Sequence, residues 1–326
     1  MESDRSRPLP KGGKGLKIDV LGAGAMGCLF GALLSRANEV RLVDPNRAKL
    51  KTLKDRGVTV LEPDGRSFTA FPGLRTPEDG SGGPPDLLLI FVKSAVEKEA
   101  LAAVSPTLGP DTALLTLQNG MGHEKAMGEI SPPERILLGA TQHNASLQSV
   151  GTVRHGGAGS TQLGALAGNG EMARAAAAAF TAAGIETAVS ADVRAVIWRK
   201  LFMNASASAL TGVFRCPLGD VAENPHIWKL CRALIGEAVA VAKADGCVFD
   251  EGEIAGEIYG HLVRSKGAIT SVYADLEAGR RTEVDAITGA VADLGRKLGV
   301  RVPVSETVAE IIRAMEERKQ RNGSSI

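Results

Sequence analysis

The sequence predicts an α/β fold in two parts, an amino-terminal part on a mainly parallel sheet and an all-helical carboxyl-terminal part. Three observations lead there. Apolar runs of strand length alternate with Ala/Leu-rich helical stretches from Lys17 onward, a glycine hexapeptide stands where the first run ends, and from about Ala191 the apolar positions keep helical period. The 326 residues suffice for two domains. Hydrophobic residues are 44% of the chain but aromatics only 4%, so the cores must rest on Ala, Val, Leu and Ile, with 39 glycines permitting close packing.

In chain order, residues 1–15 (MESDRSRPLPKGGKG) are polar and rich in Pro, Gly and basic side chains, and are expected to form a disordered arm rather than a secretory signal. KIDVL then reads as a strand, an Ala/Leu helix runs to about Arg36, and EVRLVD is a second strand ending at Asp44, which makes a βαβ unit. Further strands are expected at Val58–Leu61, Leu87–Val92, Ala113–Leu117 and Arg135–Ala140, separated by loops such as DGSGGPPD. Residues Gly151–Gly164 look like two short strands around a glycine turn, EMARAAAAAFTAAG like a helix, and IETAV like a last strand. The first domain is therefore expected to span 16–190 and the helical one 191–318. Helix breaks fall at Cys216–Gly219, Asp245–Gly246, Ala278–Gly279 and Gly299–Pro303, and residues 319–326 form a polar tail.

Lys plus Arg number 38 against 37 Asp plus Glu, a balance that gives no reason to expect nucleic acid or an acidic membrane as partner. No run approaches the ~20 apolar residues of a membrane span. A small-molecule substrate is the expected partner, with a homodimer left open. Cys28, Cys216, Cys231 and Cys247 show no C-x-x-C pair and no metal-ligand spacing, so reduced thiols, no metal and a cytoplasmic location are expected.

Gly22-Ala23-Gly24-Ala25-Met26-Gly27 is a complete G-x-G-x-x-G between a strand and a helix. The first glycine permits the tight turn, the second removes a Cβ that would block a pyrophosphate, and the third lets helix and strand approach. Asp44 ends the next strand at the spacing expected of a ribose-binding acid. Together these predict a Rossmann-type dinucleotide-binding domain. A carboxylate at Asp44 can accept from ribose hydroxyls and repels a 2′-phosphate, which favours NAD; Arg47, swung over a 2′-phosphate, is the alternative route to NADP.

In WRKLFMNASASALTG, Lys200, Asn204 and Ser208 recur every four residues and are expected along one helical face. A solvated lysine with a small polar flank is the plain alternative. Gln118-Asn119-Gly120 follows a strand, where open α/β sheets bind ligands, although Asn-Gly also suits a simple turn. In TSVYADLEAGRRTEVDAITG, Thr282 is expected to cap a helix starting at Glu283.

These stretches resemble the ketopantoate reductases, also called 2-dehydropantoate 2-reductases. The likeness lies in G-x-G-A-M-G, in Q-N-G-M-G (Gln118 to Gly122), in G-T-V-x-H (Gly151 to His155), in W-x-K-x-x-x-N (Trp198 to Asn204), and in S-x-x-x-D followed by G-R-x-T-E-x-D (Ser271 to Asp285). It runs from about Leu16 to Met315. The resemblance implies that Lys200 is the general acid and Glu283 an essential glutamate that orients substrate. It implies that Asn119, Asn204 and Ser271 hydrogen-bond a 2-keto acid, that Lys93 lies near the cofactor, and that both ligands bind between the domains. Two positions depart from the family: Ser208 replaces a usual second asparagine among the substrate contacts, and Asp44 stands where many members carry a basic group for NADPH.

The implied reaction is reduction of a small branched 2-keto acid by NAD(P)H, foremost ketopantoate to pantoate in pantothenate biosynthesis. The runner-up is an NAD-dependent D-2-hydroxyacid dehydrogenase of the same family. A non-catalytic redox sensor is the reading from another class, and it needs neither Lys200 nor Glu283.

Overall fold

The computed structural model describes residues 15–168 and 170–323. The expected arm, apart from Gly15, lies outside the described residues. Two compact units result: one takes the chain up to Gln118 together with Glu124–Val193, the other takes Asn119–His123 and everything from Arg194.

The first unit contains twelve described strands: β1 (Lys17–Leu21), β2 (Glu39–Val43), β3 (Val58–Leu61), β4 (Ser67–Ala70), β5 (Gly73–Arg75), β6 (Leu87–Ile90), β7 (Ala113–Thr116), β8 (Ile136–Thr141), β9 (Asn144–Ser149), β10 (Thr152–Gly157), β11 (Thr161–Ala165) and β12 (Thr187–Val189). Helices α1 (Ala25–Leu34), α2 (Arg47–Arg56), α3 (Glu97–Val104), α4 (His123–Gly128) and α5 (Glu171–Ala182) connect them. The main sheet has the order β12-β11-β8-β7-β6-β1-β2-β5 and is parallel except where β11 runs antiparallel to β8. Strand order reverses at β1, which lies between β6 and β2, so the loop after β1 opens at a switch point of the sheet. Its central strands are apolar throughout because both faces are covered: β6 and β7 are buried at every residue.

A second sheet, β4-β3-β10-β9, covers the other side of α1, which touches strands of both sheets. The sequence hides this sheet. Its strands β4 and β9 are largely exposed and polar, and β5 of the main sheet has three residues, so none of the three carries the apolar run that marks a buried strand. The two strands expected around the Gly151–Gly164 turn exist as β10 and β11, yet they pair into different sheets. Phe30 joins the layers, its ring 5.0 Å from Phe91 and 6.0 Å from Phe180.

The second unit is helical: α6 (Val193–Met203), a π-helical turn at Asn204–Ser208, α7 (Ala209–Phe214), α8 (Leu218–Glu223), α9 (Pro225–Ala244), α10 (Glu251–Arg264), α11 (Ser271–Glu277), α12 (Thr288–Leu298) and α13 (Pro303–Gly323). α13 thus continues past residue 318, where the tail was expected to begin. Caps explain several starts: Asn224 accepts from the His226 and Ile227 amides, Asp250 from Glu253, and Thr270 from Tyr273. In α9, Ile227, Cys231, Leu234, Ile235, Ala238, Val241 and Ala242 form one buried stripe. Full burial of a leucine such as Leu234 contributes about 1.5–3 kcal/mol. No helix among the described residues is long and apolar enough to cross a membrane.

Candidate functional site

β1 delivers the chain to Gly22, whose φ of +100° is the left-handed turn that glycine alone adopts readily. Gly27 packs so tightly that a Cβ there would lie 1.8 Å from the Gly22 carbonyl oxygen. Gly24 differs: a Cβ there meets nothing within 4 Å, so space is open over the start of α1, whose first amides have no side-chain cap. Ala25 and Met26 form the first turn. This glycine cradle fits a dinucleotide pyrophosphate, because helix-start N–H groups attract anions and a side chain at Gly24 would fill the approach.

Asp44 follows β2 and is 5% exposed. Its Oδ2 accepts the Ala23 amide at 3.0 Å and the Lys49 ammonium at 2.7 Å, and its Oδ1 accepts the Asn46 amide at 3.0 Å. The carboxylate therefore ties the glycine loop to the start of α2. Sequence reasoning missed Lys49, though a lysine five residues after the acid, one turn into the next helix, is a readable signal. Arg47 begins α2, is exposed, and lines a cavity of about 540 Å³ with Lys51, Lys54, Thr76 and Glu78. Lys93 is exposed at the end of the β6 loop.

In the second unit, α6 is anchored by Asp245. Arg194 grips that carboxylate with two bonds of 2.6 and 2.7 Å, and the fully buried Trp198 donates to it from Nε1 at 2.9 Å. Lys200 itself keeps partial solvent exposure, but the atoms crowded around its ammonium push it from 10.5 down to about 8, against an opposing pull from the Glu283 carboxylate. Asn119 Nδ2 donates to Glu283 Oε2 at 3.4 Å, across 164 residues of sequence. His123 Nε2 lies 3.1 Å from the Asn119 carbonyl and the Met121 amide donates to the Ala286 carbonyl, which together hold the Asn119 loop beside the Glu283 turn.

Two expectations need correction. Glu283 does not start a helix: residues 283–287 form a turn and α12 begins at Thr288. Thr282 Oγ1 still accepts the Val284 amide at 3.1 Å, so the hydroxyl caps a turn, and Glu316 holds Thr282 from α13. Nor do Lys200, Asn204 and Ser208 form a regular α-helical stripe. The π turn at Asn204–Ser208 widens the helix there, leaving Asn204 half-buried and Ser208 only 7% exposed. Ser271 is the exposed first residue of α11. Lys200, Glu283 and Asn119 are the residues brought together by their interactions, while His155 of the G-T-V-x-H stretch lies buried in the second sheet beside Glu62 and His143.

The sequence profile of ketopantoate reductase PanE/ApbA matches residues 18–168, and that of its C-terminal domain matches residues 192–316. A 2-dehydropantoate 2-reductase of Halobacterium salinarum is 31% identical over 302 residues, covering 91% of this chain and 98% of its own. One from Archaeoglobus fulgidus is 29% identical, covering 92% and 98%. Among solved structures, D-mandelate dehydrogenase with NADH and anilino(oxo)acetate superposes with a TM-score of 0.87 at 27% identity, covering 94% of this chain and 99% of its own. A 2-dehydropantoate 2-reductase from Geobacter metallireducens GS-15 gives 0.85 at 27%, covering 92% and 99%.

Proposed function

We propose that this chain, which belongs to the ketopantoate reductase family, reduces a small branched 2-keto acid to the 2-hydroxy acid, with ketopantoate the foremost substrate. The observation that carries the reading is the Lys200 ammonium, pushed down to about 8 beside Glu283 and Asn119. When bound in the glycine cradle, a nicotinamide dinucleotide would supply the hydride for the keto carbon. Negative charge then builds on the carbonyl oxygen, and Lys200 gives that oxygen a proton as the charge develops. With a value near 8 the lysine is still mostly protonated at neutral pH, and it is a stronger acid than a lysine at 10.5. It recovers its proton from solvent after turnover. Glu283 holds the ammonium in place, while Asn119, Asn204 and Ser271 hydrogen-bond the substrate's carboxylate and keto oxygen.

NADH is the favoured cofactor. Asp44 stands at the end of β2, and among the described residues only the Asn46 amide donates to its Oδ1, which leaves an acceptor position for a ribose hydroxyl. A second reading, reduction of another 2-keto acid to a D-2-hydroxy acid, draws support from Ser208 in place of an asparagine and from the likeness to D-mandelate dehydrogenase. Following NADH and NADPH oxidation against ketopantoate, 2-ketoisovalerate and phenylpyruvate separates the readings. The expected outcome is turnover of ketopantoate with kcat/KM at least ~10-fold higher with NADH, equivalent to ~1.4 kcal/mol of discrimination. Preference for an aromatic or other keto acid would move the assignment to the second reading, and dinucleotide binding without turnover of any keto acid would leave the sensor.

A further inference from the structure

A carboxylate offers about four acceptor positions, two on each oxygen. Among the described residues, Ala23 and Lys49 take both positions on Asp44 Oδ2, and Asn46 takes one on Oδ1. A ribose with two free hydroxyls can use one position on each oxygen, so Lys49 withholds half of that grip. It also offsets part of the negative charge that turns a 2′-phosphate away. Its placement is fixed locally: Asn46 Oδ1 accepts the Lys49 amide at 2.9 Å, and Asn46 in turn donates its own amide to Asp44, closing a ring of three residues. Of the other basic residues of α2, Arg47, Lys51 and Lys54 line the neighbouring cavity, whereas Lys49 is turned in to Asp44 and keeps 26% of its side-chain surface.

We propose that Lys49 limits how strongly this chain selects the unphosphorylated dinucleotide, by pairing with Asp44 so that the carboxylate's charge is offset in part and one of its oxygens is occupied. The proposal rests on the reading that Asp44 faces the adenosine ribose. Lys49 acts through Asp44 and is a positioning residue. Removing it frees an acceptor for the second hydroxyl and strengthens the repulsion of a phosphate, so both changes favour the unphosphorylated cofactor.

The test is calorimetric binding of ADP-ribose and 2′-phospho-ADP-ribose, probes that carry no nicotinamide, to the full chain and to Lys49→Met, Asp44→Asn and the double variant. Lys49→Met is expected to shift the affinity ratio toward ADP-ribose by about 10-fold or more, and in the Asp44→Asn background the same substitution is expected to shift it by less than about 3-fold. Lys49→Gln, which keeps the length of the side chain, is expected to shift the ratio in the same direction and stands in if the methionine variant fails to fold. An unchanged ratio in a folded Lys49 variant overturns the proposal. So does a full shift that persists without the Asp44 charge, since Lys49 would then meet the phosphate itself. Weaker ADP-ribose binding by Asp44→Asn together with an unchanged ratio in the Lys49 variant retains the ribose reading and discards Lys49. No effect of Asp44→Asn on either probe discards both.

Discussion

The two units place a charged side chain by opposite means. In the first, Asp44 is surrounded by donors that come from nearby in the chain: the Ala23 amide, 21 residues back, the Asn46 amide and the Lys49 ammonium. In the second, Lys200 meets a carboxylate from a distant turn, and the crowding around it outweighs that carboxylate's pull. A charge held by fixed donors suits recognition, because its geometry is set and the acceptor position left over has a defined direction. A charge held at the expense of solvation suits proton transfer, because the cost of keeping it charged brings its titration toward neutrality. The same contrast separates a site assembled by local chain geometry from one assembled by packing.

Removing the proposed proton donor attacks the second arrangement most directly. Lys200→Ala is expected to lower kcat by ~10²–10⁴-fold with NADH affinity near normal, and Lys200→Gln, which donates a hydrogen bond but no mobile proton, should be almost as slow. In the unmodified enzyme the rate of reduction should fall as pH rises through about 8, because the ammonium is then lost, and this limb should be missing in both variants. A well-folded Lys200→Ala enzyme within about 10-fold of the original kcat, with chemistry rate-limiting, would falsify the assignment.

Glu283→Gln sharpens the comparison. Glu283 raises the lysine's value against the stronger effect of crowding, so its neutralisation should move the high-pH limb to lower pH. Loss of a charge-assisted hydrogen-bond partner should also lower kcat/KM by roughly 10–100-fold. A limb that stays in place in an active variant would show that the two side chains do not act on one another in the working complex.

The first arrangement can be broken in two distinct ways. Gly24→Val projects into open space, so it should reduce NADH affinity by ~10-fold or more while leaving the melting temperature nearly unchanged. Gly27→Ala instead drives a Cβ into the Gly22 carbonyl and should cost stability, about 1–3 kcal/mol as for other overpacked sites. Equal effects of both on thermal stability would mean that the loop is held by something other than this contact.

The smallest expected effect lies away from both sites. Burial, and after it the neighbouring His155 ring, push the His143 imidazole below its ordinary 6.5, while Glu62 opposes them. A folded value below the unfolded one means that the contribution to stability is fully present above 6.5 and is lost as pH falls through the folded value. Thermal melts across the acid range should therefore decline less steeply for His143→Gln than for the unmodified protein; parallel curves would remove His143 from the acid limb.

What the sequence determined by itself is what depends on neighbours along the chain. The run KIDVL, the glycine hexapeptide and the spacing to Asp44 specify strand, turn and helix through backbone conformation and side-chain period, and the structure has β1, Gly22 at positive φ and α1 in that order. The helix breaks at Cys216–Gly219 and Gly299–Pro303 are legible for the same reason. The identity of Lys200 and Glu283 as candidates came from motif likeness, which named the residues without their surroundings. Tertiary structure decided the rest. The polar strands β4 and β9 are recognisable only by their partners, the π turn at Asn204–Ser208 follows from packing rather than from a four-residue period, and the helix expected at Glu283 gives way to a turn braced by Glu316. Whether Lys200 titrates near 8 depends on how many atoms crowd an ammonium in three dimensions. No spacing of letters encodes that, because desolvation sums over neighbours that the chain brings together only when it folds.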